Sequence, residues 1–420
     1  MNKPNTNLIP NLTSGPTDVV VIGGGPAGAT VAALVAEKGH RVQLFEREIF
    51  PRFSIGESLM PGTYWTLKKL GVLEKMKSSA FPQKCSVQFY SRSGRASAPF
   101  YFFENDSHES SQTWQVLRSE FDEMMLENAR EKGAQVHQGV SVTEVLFEES
   151  KATGVRVRLP DKSLYDIQSK IVVDASGQST LIARKLDLKR REPALKKAAV
   201  FSHFKGSVRD TGVDEGATLI FQTQNQDSWF WFIPLPQDLT SVGVVGDVDY
   251  LLGQALEDLQ NIFKRELEIC PALQPRLAPA RQLFPMKITR DFSYRSEQIA
   301  GQGWVLVGDA FGFLDPIYSS GVFLALKSAE FAAACVHEAL KNQDFSAPQL
   351  GKFQSEYLAG MESIRKLVYT FYARDFSFGR FLNKHPECRK DIINILVGNV
   401  FREPVIGLFE RLGEFCQIPE

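Results

Sequence analysis

The chain has 420 residues, 43% apolar and 23% charged, with a formal net charge of −1, which suits a large folded core and offers no electrostatic case for nucleic acid or an anionic membrane. Its five cysteines (Cys85, Cys270, Cys335, Cys388 and Cys416) are odd in number, scattered and without CxxC spacing, so neither a disulfide framework nor a metal site is expected, and a reducing cytoplasm is. No run approaches the ~18 apolar residues that a membrane span needs.

Residues 1–16 are polar, rich in Asn, Pro and Thr, and lack an apolar h-region; they read as a disordered leader. Val19–Ile22 is a short apolar run of the kind that forms a buried parallel strand. Gly23, Gly25 and Gly28 follow in GxGxxG spacing, with Pro26 and Ala27 between, then an Ala/Val-rich helix to about Lys38 and a second strand over 41–45. The first glycine permits a tight turn, the second lets backbone approach a pyrophosphate, and the third lets helix pack on strand. The helix start then turns free N–H groups and its positive dipole end toward phosphate. Glu46 ends the second strand, 18 residues past Gly28, where a carboxylate can bind a ribose. With strand, turn, helix, strand and acid all in order, this stretch is a dinucleotide site.

A turn-rich segment, 47–58, leads to an expected helix over 62–77 with Trp65, Leu67, Leu70 and Leu73 as its buried face. Residues 81–104 alternate and are aromatic, as a hairpin crossing between lobes would be. Trp114–Leu117 reads as a strand, followed by a helix to Lys132 with Ser119 as N-cap. Strands are expected over 134–147, 153–159 and 171–174. From 195 to 285 longer alternating strands predict an antiparallel, inserted lobe. Gly303–Ala310 resumes the first lobe, a long Ala-rich helix runs from Ser320 to Lys341, and 346–420 reads as aromatic-rich amphipathic helices. The expected organisation is thus α/β: a Rossmann-like nucleotide-binding part over 17–194 (with 81–115 crossing to the other lobe), a sheet lobe over 195–285, a return over 286–345 and a helical C-terminal region.

Three further constellations carry chemistry. The strand ending at Gly308–Asp309 can present a carboxylate to a second ribose-like hydroxyl. In Trp229-Phe-Trp231-Phe-Ile233-Pro234 the residues Trp229, Trp231 and Ile233 share one face at period two and build a rigid wall. In Phe313-Leu-Asp-Pro316-Ile-Tyr318-Ser319-Ser320-Gly321-Val322 the long helix begins at the double serine, so the N–H groups of Ser320 and Gly321 can bind an anion. A serine acting only as N-cap, at ~1 kcal/mol, is the simpler account of the same residues.

The chain resembles the FAD-dependent superfamily of aromatic hydroxylases, geranylgeranyl-type reductases and flavin-dependent halogenases. The resemblance covers about 17–345 and rests on GGGPAG with Glu46, on Phe50-Pro51-Arg52 with Gly56-Glu57-Ser58, on Arg118, on 174–177 and on 308–310. It implies an aromatic-hydroxylase-type FAD domain, with Arg47, Arg118 and Val322 joining the glycine turn, Glu46 and Asp309 around the cofactor. The WxWxIP and FxxPxxSxG patterns resemble the halogenase branch in particular. There the tryptophan wall, with Pro316, Tyr318 and Ser319, separates substrate from flavin, and Ser320 and Gly321 hold chloride or bromide. The branch also uses a lysine to position electrophilic halogen. Lys84 stands at the matching place, although Ser86 occupies a position where the family often has glycine. Tyr318, where tryptophan halogenases usually carry glutamate, is similar to halogenases of phenols or pyrroles, free or tethered to a carrier protein. The resemblance implies halogenation of such an aromatic with reduced FAD, O2 and halide. No second nucleotide motif for NAD(P)H is present, so a separate flavin reductase is the expected partner. The alternatives are a reductase or hydroxylase of the same superfamily, or a flavin-binding partner module without catalysis.

Overall fold

In the computed structural model, residues 17–253, 258–374, 376–401 and 407–418 are described; the leader expected over 1–16 lies outside them. Strand β1 (Thr17–Ile22) is buried along its whole length, as a strand covered on both faces must be. It pairs in parallel with β2 (Val42–Glu46) on one side and with the Leu164–Asp174 strand on the other. Gln135–Gln138 extends the sheet beyond β2, and Trp304–Leu306 extends it beyond Leu164–Asp174, both in parallel. In this register Ile22 lies beside Asp174 and Phe45, and Asp174 beside Leu306. These parallel strands therefore end on one edge. The loops after Ile22, Glu46, Asp174 and Leu306 converge there, where open α/β sheets bind ligands.

The second sheet has nine strands, with the run Lys287–Ser296, Lys189–Lys205, Leu239–Asp247, Ser228–Pro234, Thr218–Gln222 and Ser86–Tyr90 at its centre. It is thus larger than the expected 195–285 insertion: the 17-residue Lys189–Lys205 strand and its antiparallel partner Lys287–Ser296 reach past both limits. The alternation along Ser228–Pro234 separates two cores. Trp229, Trp231 and Ile233 join the main core, while Phe230 and Phe232 face a second one beneath the Leu259–Glu268 helix. Period two places large apolar groups on both faces, so this strand is buried on each.

Two local expectations change. The helix over 62–77 is broken at Gly71 (φ +77), giving Thr63–Leu70 and Leu73–Lys77, because a left-handed C-cap ends a helix. Trp65, expected on its buried face, is only half-buried and stacks on His108. The helix after Trp114 starts at Arg118 with Leu117 as N-cap, so Ser119 lies inside the first turn and caps nothing. The helices Gln354–Tyr372 and Arg389–Val397 close over the junction of the sheets, and the Val397 carbonyl accepts from Gly62 N–H at 2.6 Å. Among the described residues no helix is long and apolar enough to cross a membrane.

Candidate active site

A cavity of about 590 Å³ lies between the edge of the parallel sheet and the inner face of the second sheet, within the size range of cofactor sites. At one end the glycine turn leaves no room for side chains. A Cβ on Gly28 would stand 1.9 Å from the Gly23 carbonyl oxygen, and one on Gly23, at φ +98, 2.5 Å from that of Ala175. Gly25 faces the cavity, its nearest neighbour being Arg52 Nη2 at 3.7 Å from such a Cβ. Helix α1 (Pro26–Ala36) begins with a residue that has no N–H to waste. The N–H groups of Ala27 and Gly28 are left for a ligand at the helix end, since the first intrahelical bond runs from Ala29 to the Gly25 carbonyl.

Glu46 is 6% exposed. Its Oε2 accepts from Gly24 N–H at 2.7 Å and its Oε1 from Glu48 N–H at 2.8 Å. The carboxylate thus holds the two loops together and keeps its remaining lone pairs for the cavity it lines. Arg47 lines the same stretch with its side chain largely solvent-facing, 3.7 Å from Glu48.

Arg118 is fixed from both sides. Its guanidinium makes a two-pronged pair with Asp122, 2.8 Å at each contact, and donates to the carbonyl of Ile55. Burial opposes its charge, yet the Asp122 carboxylate outweighs this and holds the group above its ordinary pKa. Arg52 reaches the same carboxylate at 3.1 Å. One buried acid therefore sets two guanidinium groups into the cavity wall, a geometry suited to phosphate oxygens. Asp122 was not singled out in the sequence, although its spacing of four from Arg118 on a helix is a readable signal. Asp309 stands in the cavity wall on a single 3-10 turn, whose carbonyl accepts from Tyr294 Oη at 2.7 Å.

At the other end Trp229, Trp231 and Ile233 line the cavity opposite Pro316, Ser319, Gly321 and Val322. Both indoles are pinned: Trp229 Nε1 donates to Tyr372 Oη at 2.9 Å, and Trp231 Nε1 to Ser241 Oγ at 3.1 Å. Tyr372 donates in turn to Asp315 Oδ2 at 2.8 Å. This chain ties wall, turn and C-terminal helix into one unit. Tyr318 is buried against the C-terminal helix, its hydroxyl donating to the Leu367 carbonyl at 3.1 Å.

The Ser320–Asn342 helix is reached through Ser319 in the left-handed region, φ +58, with no side-chain cap. Simple N-capping is therefore not what the two serines do. Ser320 Oγ is buried and has no hydrogen-bond partner, and a Cβ on Gly321 would meet nothing within 4 Å. An orphaned hydroxyl, first-turn N–H groups and open space together fit a small anion.

Lys84 is 3% exposed and lies behind the cavity wall at Ser58. Its Nζ donates to Ser58 Oγ at 2.8 Å and to the Leu59 carbonyl at 3.0 Å. Ser58, which lines the cavity, also bonds Thr218 Oγ1 at 2.9 Å. Phe102 faces the amine at 5.6 Å. Burial pushes the ammonium down from 10.5 to about 7, so about half of it is neutral at neutral pH.

The family described as FAD binding domain matches residues 16–343. A 1H-pyrrole-2-carbonyl-(peptidyl-carrier protein) chlorinase from Pseudomonas fluorescens is 32% identical over 96% of this chain and 94% of its own length. The corresponding brominase from Pseudoalteromonas luteoviolacea is 33% identical over 91% of this chain and 92% of its own. Among solved structures, the flavin-dependent brominase Bmp2 superposes with a TM-score of 0.86 at 30% identity, covering 96% of this chain and 99% of that one. The myxobacterial chondrochloren halogenase CndH gives 0.80 at 30% identity, covering 95% and 96%. The glycine turn, the two-guanidinium wall and the converging strand ends fit FAD, and this chain belongs to the flavin-dependent halogenases of the FAD-binding-domain family.

Proposed function

We propose that this halogenase chlorinates or brominates an electron-rich aromatic, a pyrrole carried as a thioester on a carrier protein, with Lys84 delivering the halogen. The observation that carries the reading is Lys84 itself: a buried amine, half neutral near pH 7, one hydroxyl away from the cavity wall. The two pyrrole-specific relatives, similar over nearly their full length, support the substrate class.

The glycine turn, the first turn of α1, Glu46, Arg118 and Asp309 would hold FAD. When bound in its reduced form FAD supplies, with O2, the two-electron oxidation of halide. The chain's own residues do the rest. Ser320 and Gly321 hold chloride or bromide at the helix start. The pinned Trp229–Trp231 face keeps the aromatic substrate out of the flavin chamber, which blocks hydroxylation. The neutral Lys84 amine either donates a hydrogen bond to hypohalous acid or exchanges an N–H for N–halogen with loss of water, and so sets the electrophile toward the substrate side. A pyrrole is electron-rich enough to react without a carboxylate at the Tyr318 position. Reduced FAD comes from a separate flavin reductase. All five cysteines are free thiols, which supports work in a reducing cytoplasm.

Purified enzyme with a flavin reductase, FAD, NADH, bromide or chloride and a pyrrolyl carrier protein tests this by intact-protein mass spectrometry. The halogen isotope pattern on the carrier-bound acyl group is the expected result. Hydroxylated product without halogen, or equal turnover of the free pyrrole acid, would overturn the reaction or the tether respectively.

A further inference from the structure

The same wall that carries Ser58 holds a second buried polar pair. Glu57, 3% exposed, lines the cavity, and its Oε1 shares a hydrogen bond with Nε2 of His203 across 2.6 Å. His203 is 5% exposed and comes from the far sheet, on the Lys189–Lys205 strand. The Glu57 carbonyl is fixed independently by Val116 N–H at 2.6 Å. On its outer side the imidazole lies under two rings, Phe53 at 5.8 Å and Phe284 at 5.9 Å. Those rings are 45% and 51% exposed. His203 is therefore one aromatic layer below solvent, and Glu57 is at the cavity.

Among the described residues, three charged groups stand around the pair. The Arg118 guanidinium, on the Arg118–Glu131 helix, faces Glu57 electrostatically. Lys84 stands behind the adjacent Ser58. Lys287, on the Lys287–Ser296 strand, lies over the Phe53 ring at 3.3 Å. Directly opposite His203 on the Leu239–Asp247 strand is Ser241, which is uncharged. A buried carboxylate needs a partner, and an alkyl ammonium or guanidinium would serve that purpose. An imidazole differs from both in being able to accept a proton at one ring nitrogen while giving one up at the other.

Halogenation has a use for such a group. An aromatic C–H, a halide, O2 and the two hydrogens of reduced FAD yield the aryl halide, oxidised FAD and two waters, and the sum consumes one further proton. We propose that Glu57 and His203 are the relay that brings this proton into the closed chamber, an inference that rests on the halogenase reading. Solvent protonates His203 at its other ring nitrogen. His203 passes its Nε2 proton to Glu57 Oε1, and the carboxyl group releases its proton into the cavity, leaving a carboxylate and a neutral imidazole whose remaining proton sits on the other ring nitrogen; a tautomer exchange that moves no net proton restores the Nε2–H before the next turnover. His203 is a positioning and relay residue that acts through Glu57.

His203→Gln and Glu57→Gln, each close to isosteric, test the relay, with Lys84→Met for comparison. Across pH 6–9, His203→Gln is expected to lower the halogenation rate about tenfold or more at the alkaline end and far less at pH 6, where bulk protons are abundant. His203→Ala should be rescued by added imidazole. A second readout uses FAD-free protein labelled with 15N-histidine: the His203 ring resonances, assigned by their loss in His203→Gln, should shift in Glu57→Gln. An unchanged pH profile in both Gln variants, a loss that is equal at every pH and not rescued by imidazole, or His203 resonances indifferent to Glu57→Gln would each overturn the relay. The wild-type yield of aryl halide tests the halogenase reading separately, and the resonance measurement does not depend on it.

Discussion

Replacing Lys84 by Met removes the amine while keeping an unbranched side chain of similar length, and the structure sets the consequence for stability as a function of pH. Burial lowers the folded-state pKa from 10.5 to about 7, whereas the unfolded chain keeps the ordinary value. Between those two pH values the unfolded state binds one more proton than the folded state, so wild-type stability rises with pH there. The slope is ~1.4 kcal/mol per pH unit, and the whole penalty below pH 7 is ~5 kcal/mol as an upper bound. Met has no such term. It leaves the Leu59 carbonyl without its Nζ donor, at ~1–3 kcal/mol, but that cost does not vary with pH. Urea denaturation of both proteins at pH 7.5, 8.5 and 9.5 should therefore show wild type gaining ~2–3 kcal/mol on the variant across the series. A difference that stays flat would mean that Lys84 titrates where an exposed lysine does, and the reasoning about its neutral form would fail. In turnover assays the wild-type rate should climb as pH passes through about 7, while Lys84→Met consumes O2 with aryl halide reduced by at least ~100-fold.

Gly28→Ala places a methyl group 1.9 Å from the Gly23 carbonyl oxygen; the turn must open, and calorimetry should find FAD affinity lowered by more than ~10-fold. Gly321→Ala meets no protein atom within 4 Å and replaces a helical glycine, so thermal stability should hold or improve by up to ~1 kcal/mol. The methyl occupies the anion space, and the halide KM should rise about tenfold; an unchanged KM would remove Gly321 from the halide site. Tyr372→Phe strips the acceptor from Trp229 Nε1 and the donor from Asp315 Oδ2, which should cost ~1–3 kcal/mol in chemical denaturation. Loosening the tryptophan face should also raise the fraction of O2 released as hydrogen peroxide, measured by a peroxidase-coupled assay.

What could be read directly from the residues was local in its physics. The Gly23–Gly28 turn is dictated by where a Cβ cannot go, the two-faced Ser228–Pro234 strand by its period of two, and the proposed anion site at the Ser320 helix start by the missing partners of its first N–H groups. Each needs only neighbours within a few residues. The candidate amine is legible for the same reason: the place of Lys84 in the chain relative to Gly56-Glu57-Ser58 is visible in the sequence. Its burial is not, because desolvation depends on Phe102, Ser58 and Leu59 meeting it from other segments.

The misread details have a common cause. Ser119 has the side chain of an N-cap, but the helix begins a residue before it, with the Leu117 carbonyl accepting from the N–H groups of Glu120 and Phe121. Trp65 looked like core, yet it is only half-buried and stacks on His108. The limits of the second sheet were underestimated because a 17-residue strand pairs with a partner some ninety positions away. By itself the sequence determined the cofactor turn, the strand face of the tryptophan wall and the candidate lysine, since short-range sterics and periodicity specify them. Only the tertiary structure decided that Arg52 shares Asp122 with Arg118, that Tyr372 locks Trp229 to Asp315, and that His203 meets Glu57, because each contact joins segments brought together by the packing of two sheets and a C-terminal helix.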